Sequence, residues 1–143
     1  IRDKINLQFI QTSFSFLDKN LKPEAKNIFK NLKKLYPDIQ NYKDLKAHVG
    51  FVHAYDLTLL LNAALLQVEL TKDIKENRKN LKKALENINN PVSGLLKTYT
   101  KPFSVFSKNN PDAHEALNEK DFVMAEYGDN NEILLRKDTL NQE

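Results

Sequence analysis

One apolar stretch constrains the possible folds of this chain more than any other feature. It runs from Phe51 to Leu70, FVHAYDLTLLLNAALLQVEL, and directly follows Gly50. As a helix it would be apolar on nearly every side, so neighbouring elements are expected to cover most of its circumference. His53 and Asp56 interrupt the run too early for a transmembrane span, which needs about 20 mostly apolar residues. The stretch therefore predicts a core helix of a soluble domain.

Two further helices are predicted, one on each side of this run. Pro23 suits the first helical position, and the apolar spacing that follows predicts a helix from Pro23 to Tyr36, which Pro37 terminates. After the run, Thr71 is the predicted N-cap of a helix from about Lys72 to Asn89. Both helices have an apolar stripe and a lysine-rich outer face. The lysines of the first helix suit a phosphate or lipid patch, or an ordinary solvated surface, and the second helix is expected to be a surface cover. The lysines of the first helix are Lys26, Lys30, Lys33 and Lys34.

The remaining patterned segments favour strands. A short run rich in β-branched and aromatic residues predicts a strand at Asn6–Thr12. Phe122–Tyr127 and Glu132–Leu135 flank a Gly-Asp-Asn-Asn loop, so they predict a β-hairpin. Leu95–Thr100 and Phe103–Phe106 are expected to be extended. With three helices between these strands, the 143 residues predict one domain, α/β or α+β, in which helices cover a sheet.

Composition and motifs exclude several classes of function. The net charge of +3, from 22 basic and 19 acidic residues, is not the footprint of a nucleic-acid-binding protein. There are no cysteines, and His48, His53 and His114 lie in different elements without metal-ligand spacing. The chain lacks a P-loop, GxGxxG and GxSxG. The sequence therefore predicts a protein that is not an enzyme and has no metal site or cofactor.

Two local features suggest a ligand site, and each has a simpler structural explanation. His53, Tyr55 and Asp56 stand at the start of the predicted core helix, where unpaired N–H groups and the helix dipole suit an anion. The alternative is that they pack and form ordinary hydrogen bonds there. Phe14 and Phe16 alternate with polar residues, so they form either a ligand-facing wall or a pair packed under a loop.

An ordered set of segments carries a family resemblance. Residues 50–65 read GFVHAYDLTLLLNAAL, an aromatic and small-residue lead into Tyr-Asp, and a charged helix ending in KKALENINN follows. Before them come LQFIQTSFSFLD and PEAKNIFKNLKKLYPD, and after them come VSGLLKTYTKPF and DAHEALNEKDFVMAEYGDNNEILL. In these segments the chain resembles the type I periplasmic solute-binding proteins of ABC importers, the group similar to the leucine/isoleucine/valine-binding proteins.

The resemblance implies two α/β lobes joined by hinge crossings. The chain would be the C-terminal part of such a protein, a partial type I periplasmic-binding-protein fold that is incomplete without an N-terminal half. Residues 1–17 would be a hinge-proximal strand and loop, 18–120 lobe helices and strands, 121–135 the closing strands near the last crossing, and 136–143 a polar, frayed tail. The residues that the resemblance places at the ligand or near a hinge crossing are Phe51, His53, Tyr55, Asp56, Gln11, Thr12 and Phe14.

The implied function is solute binding without catalysis. Two lobes would close around a small polar ligand such as an amino acid, and the protein would deliver it to the membrane permease of an ABC importer. Its place would be periplasmic or extracellular, with a lipid anchor as one option, and no nucleic acid or cofactor would take part. The alternatives are a ligand-sensing extracellular domain of a membrane receptor or kinase, and a stand-alone module whose two charged helices dock on a protein or membrane. An unrecognised enzyme is a further alternative.

Overall fold

The computed structural model describes residues 7–45 and 48–136. Its elements in chain order are β1 (Gln8–Thr12), α1 (Pro23–Leu35), α2 (His48–Leu65), α3 (Ile74–Glu86), β2 (Val92–Ser93), β3 (Thr98–Tyr99), β4 (Phe122–Tyr127) and β5 (Ile133–Arg136), with short 3-10 turns at Tyr42–Asp44 and Glu119–Asp121. The predicted mixed α/β class is confirmed. The chain forms two compact units, the first made of Ile1–Val52 with Glu119–Glu143 and the second of His53–Asn118.

The first unit contains a three-stranded antiparallel sheet in the order β1-β4-β5. In its register Thr12 is opposite Phe122 and Tyr127 is opposite Ile133. The predicted hairpin is confirmed as β4 and β5, and its loop closes through a hydrogen bond of 2.8 Å from the Gly128 N–H to the carbonyl of Glu132. The predicted first strand is confirmed from Gln8 to Thr12; Leu7 precedes the strand, and Asn6 lies outside the described residues.

Helix α1 has the ends that its sequence predicts. Pro23 occupies the first turn, and the N–H of Tyr36 caps the other end by donating to the carbonyl of Leu32 at 2.9 Å. Ala25, Phe29 and Leu32 are buried, which leaves the lysines of the helix on the outer side. Burial of this stripe holds the helix on the first unit, since a helix of this length is marginal in water by itself.

An aromatic cluster forms the centre of the first unit. Phe16 is fully buried, and five rings surround it at centroid distances between 5.0 and 6.4 Å. One of these contacts is edge-to-face, at an angle of 88°, and another is stacked, at 10°. The contacting rings are those of Phe14, Phe29, Tyr42, His48 and Phe51. Such pairs stabilise a fold by about 0.5–1.5 kcal/mol beyond the burial of their area.

His48 contributes an imidazole ring to this cluster. Its side chain is buried, and its Nδ1 has no hydrogen-bond partner among residues 7–45 and 48–136. Burial lowers the pKa of His48 below its ordinary value of 6.5, because a charged imidazolium would lose its hydration there. The folded protein therefore holds His48 as a neutral, aromatic packing residue.

The second unit is built on α2 and α3. Leu60 and Ala64 of α2 join Ala84 and Ile88 to form a core, and Tyr99 of β3 completes it. Strands β2 and β3 form a small antiparallel hairpin in which Ser93 is opposite Thr98. The predicted extended segment at Leu95–Thr100 is thus partly a hairpin loop. Phe103–Phe106 forms no regular strand.

The prediction that α2 is covered on most of its circumference is wrong. Leu57, Leu61 and Leu65 are 60, 38 and 36% exposed, because α3 and β3 cover only one side of the helix. The helix also ends earlier than predicted, at Leu65 instead of Leu70. At its end the hydrogen bonds join residues three apart instead of four, as in the 3.1 Å bond from the Val68 N–H to the carbonyl of Leu65.

The N-cap of α3 also differs from its prediction. Asp73, not Thr71, caps the helix, because its carboxylate accepts hydrogen bonds from the N–H groups of Lys75 at 2.8 Å and Glu76 at 3.3 Å. Thr71 lies upstream of the cap. Its backbone N–H donates to the side-chain oxygen of Asn77, and its carbonyl accepts from the side-chain NH₂ of Asn77, both at 2.8 Å. Arg136, the first residue of the predicted frayed tail, belongs instead to β5, where it pairs with Met124, and residues 137–143 lie outside the described residues.

The burial of His48 predicts a loss of stability in mild acid. Since the unfolded chain binds a proton near pH 6.5 and the folded chain resists it, stability is complete above that pH and falls as the pH decreases below it. The slope should approach at most about 1.4 kcal/mol per pH unit. Denaturant unfolding between about pH 5 and 7 would measure it, and His48→Leu should remove this part of the slope. An equal slope in both proteins would contradict the assignment.

Candidate functional site

The candidate ligand segment lies inside α2 and not at its start. The helix begins at His48, so His53, Tyr55 and Asp56 belong to its second and third turns. Their N–H groups are therefore committed to the helix, and the predicted anion site at a helix N-terminus does not apply to them. Buried residues recur at every fourth position of α2: His48, Val52, Asp56, Leu60 and Ala64. Asp56 is thus an acidic residue in an otherwise uncharged buried stripe.

Asp56 is bound by the loop of the β2–β3 hairpin. Its carboxylate accepts hydrogen bonds from the backbone N–H groups of Leu95 at 2.6 Å and Leu96 at 3.0 Å. The phenol of Tyr99 donates a third, at 2.8 Å. The loop closes behind it through a 2.9 Å bond from the Gly94 N–H to the carbonyl of Lys97. The carboxylate therefore occupies the position that an anion takes among converging backbone N–H groups.

Gly94 allows this close approach. A Cβ atom at this position would lie 2.5 Å from the carboxylate carbon of Asp56 and 2.5 and 2.6 Å from its two oxygens. Any other residue would therefore push the carboxylate away from the loop. Asp56 is 3% exposed, and its two oxygens already accept three hydrogen bonds, so it contributes to the fold of the second unit. A ligand would have to displace those donors to reach it.

The other three predicted residues of this segment have different environments. Phe51 is half-buried and contacts Phe16 at 5.9 Å in the first unit. His53 is exposed, whereas Tyr55 is half-buried. Since a helix turns by about 100° per residue, His53 and Tyr55 project from nearly opposite sides of α2. The structure does not bring these two side chains onto one face.

The three predicted residues near the N-terminus lie within the first unit. Gln11 and Thr12 are buried in β1, opposite Val123 and Phe122 of β4. Phe14 packs edge-to-face on Phe16 in the aromatic cluster, at 5.0 Å. Strand pairing and burial are therefore sufficient to explain Gln11 and Thr12, and aromatic packing is sufficient to explain Phe14, without a ligand.

Three cavities among the described residues lie elsewhere. One of about 240 Å³ is lined by residues around Ser15 and Leu134, and one of about 350 Å³ by residues around Val68 and Asn80. The third is a groove of about 600 Å³ along α1, and four lysines line it. None of the seven predicted ligand residues lines any of these three cavities. The α1 groove is the feature that the sequence did not predict, although its lysines were visible in the helical pattern.

Some of the charged side chains form ion pairs. Glu86 accepts from His114 and from Lys82, both at 3.0 Å, and the hydrogen bond from His114 is the main reason why the pKa of Glu86 is lowered. Among the described residues no three His, Cys, Asp or Glu side chains are grouped so that they could hold a metal ion. No helix in that part of the chain has both the length and the apolar character needed to cross a membrane.

Comparison with known proteins produced no match: no protein-family model, no curated protein and no solved structure is similar to this chain.

The contacts of Asp56 predict that Asp56→Asn will destabilise the protein. An amide retains one acceptor oxygen but turns an NH₂ donor toward the N–H groups of the loop, which leaves buried donors unpaired. The expected loss is about 2–4 kcal/mol in the free energy of unfolding. Urea unfolding would measure it, with Asp112→Asn as the control because Asp112 is exposed in the same unit. Equal effects of the two substitutions would contradict the assigned role.

Two glycine substitutions should have opposite effects. Gly94→Ala would place a methyl group against the Asp56 carboxylate, so we expect a loss of about 1–3 kcal/mol. Gly50 lies in α2 with nothing within 4 Å of an added Cβ, so Gly50→Ala should stabilise the protein by about 0.5–1 kcal/mol through helix propensity. Thermal unfolding of both variants beside the parent would check this difference in sign. Stabilisation by Gly94→Ala would rule out the close packing.

Proposed function

We propose that this chain is the C-terminal part of an extracytoplasmic solute-binding protein that closes two lobes around a small polar ligand and passes it to an ABC importer. The path of the chain carries the proposal. The chain leaves the first unit after Val52, within α2, and returns to it at Glu119, shortly before β4. A chain that passes twice between two compact units is the arrangement expected of a binding protein whose lobes are joined by crossings.

The order of sequence segments supports the same proposal. The Tyr-Asp segment is α2, the charged segment is α3, the Gly turn is the β2–β3 hairpin, and the closing segment contains β4 and β5. The first crossing falls in the lead into Tyr-Asp, between Val52 and His53. The second falls just before the strand predicted to lie near the last crossing. We propose with it that the chain has a partial type I periplasmic-binding-protein fold.

The structure changes which residues are the best candidates for ligand contact. Asp56 is engaged by its hairpin, and Phe51 contacts the aromatic cluster. Tyr55 is half-buried and takes part in a further interaction, whereas His53 is exposed. We therefore assign the direct contact to His53, whose imidazole can donate and accept hydrogen bonds.

A ligand screen on the intact protein tests the function. A bound ligand stabilises the folded state by mass action, by about 2.7 kcal/mol at a concentration 100 times the Kd. We expect at least one member of a panel of amino acids, amides, urea and small organic acids to raise the Tm in a concentration-dependent way. A panel without any such shift would count against small-molecule binding.

His53→Ala then tests the site. With the active ligand, calorimetric titration should show binding weakened by about 1–3 kcal/mol, the usual cost of losing a polar contact at a site. The apo Tm should change little, because the side chain is exposed. Asn62→Ala is the matched control, since Asn62 is exposed on the same helix, and it should leave affinity unchanged. Unchanged affinity in His53→Ala would remove His53 from the site.

A further inference from the structure

We propose that the groove along α1 binds an acidic, partly apolar segment of a protein partner. This lysine groove is lined by Lys26, Phe29, Lys30, Lys33, Lys34 and the residues of a facing loop, Gln40, Asn41 and Tyr42. None of the predicted ligand-facing residues belongs to it. The groove is therefore independent of the proposed solute site.

The charge of the groove has one sign. Four lysines and no carboxylate of the described residues line it. None of these lysines forms an ion pair with a carboxylate among residues 7–45 and 48–136. The charge of Asp44 interacts with that of Lys33, and its carboxylate accepts the N–H groups of Gln40 and Asn41 at 2.8 Å each. Those two bonds are the main reason why the pKa of Asp44 is lowered, and they hold the carboxylate in the loop. The groove is thus complementary to a negatively charged ligand.

The floor of the groove is aromatic and held in place. Phe29 and Tyr42 pack with their ring centroids 4.3 Å apart, and both rings also contact Phe16. The facing loop is fixed by a capping box. The Asn41 side chain accepts a hydrogen bond from the Lys43 N–H at 2.9 Å, and the Asp44 carboxylate accepts one from the Asn41 N–H. A preformed groove loses little conformational freedom on binding.

This combination favours a peptide segment over a membrane surface. The lysines line a recess of about 600 Å³ between a helix and a loop, which suits an extended chain better than a flat bilayer. The aromatic floor can receive an apolar side chain, and the lysine rim can pair with Glu or Asp on either side of it. An acidic segment with interspersed apolar residues satisfies both parts of the groove.

Helix α3 provides a contrast within the same molecule. It carries five exposed basic residues, but the cavity beside it contains one lysine, Lys83, together with the carboxylate of Glu69. A basic surface is therefore present on both helices, whereas the cavity on α1 has a basic lining and the cavity beside α3 has a mixed one. This difference separates a specific site from general attraction between charges.

The test uses a labelled peptide of Glu-Glu-Phe repeats, and a peptide of Gln-Gln-Phe repeats as its control, at about 0.15 M ionic strength. Fluorescence anisotropy should show that the intact protein binds only the acidic peptide. Lys26→Glu with Lys30→Glu should weaken binding at least about tenfold, since like charges then face each other. Lys75→Glu with Lys79→Glu changes the net charge equally on α3 and should change affinity less than about threefold. Thermal unfolding confirms that both double variants fold.

Each other result would overturn the proposal. Equal losses in the two double variants would mean that binding reflects net charge and not the groove. Equal binding of the acidic and the Gln peptide would mean that the lysines do not select a negative charge. Binding to phosphatidylserine vesicles, lost in the α1 variant, with no binding of the acidic peptide would identify a membrane surface as the occupant.

Discussion

The second unit depends on one interaction: the carboxylate of Asp56, on α2, accepts hydrogen bonds from the loop between β2 and β3. A buried charge is costly unless hydrogen bonds replace its hydration, and here two backbone N–H groups and the Tyr99 phenol supply them. The same contact joins α2 to a hairpin distant in sequence and places Tyr99 in the core beside Leu60 and Ala64. Gly94 is part of this interaction, because only a residue without a Cβ leaves room for the carboxylate.

The first unit depends on packing instead of charge. Phe16 is enclosed by rings from α1, from the 40–44 loop and from the start of α2, so one side chain connects segments that are separate in sequence. The same rings support the lysine groove, since Phe29 and Tyr42 have one side in the cluster and also line the groove. The shape of a surface feature thus follows from the core beneath it. His48 enters the cluster as a neutral imidazole, which links the packing to pH.

Local sequence rules predicted the elements well but not the surroundings of individual side chains. The hairpin of β4 and β5, helix α1 and strand β1 follow from turn residues, a proline and β-branched residues that act over a few positions. The cover of α2 and the N-cap of α3 were predicted wrongly. An apolar residue has the same local pattern whether or not a neighbour covers it, and Thr71 and Asp73 are both acceptable cap residues.

The sequence by itself determined the class of the protein: a mixed α/β chain with a near-balanced charge and no local motif for catalysis. Only the tertiary structure decided the surroundings of Asp56 and of the α1 lysines. The sequence marks Asp56 as a carboxylate in an apolar helix, but its donors come from a loop about 40 residues later. The lysines are equally frequent on α1 and α3. On α1 they line a groove because the facing loop of Gln40, Asn41 and Tyr42 forms its other side. Long-range contacts of this kind have no signature in local patterns, because they depend on which segments meet when the chain packs.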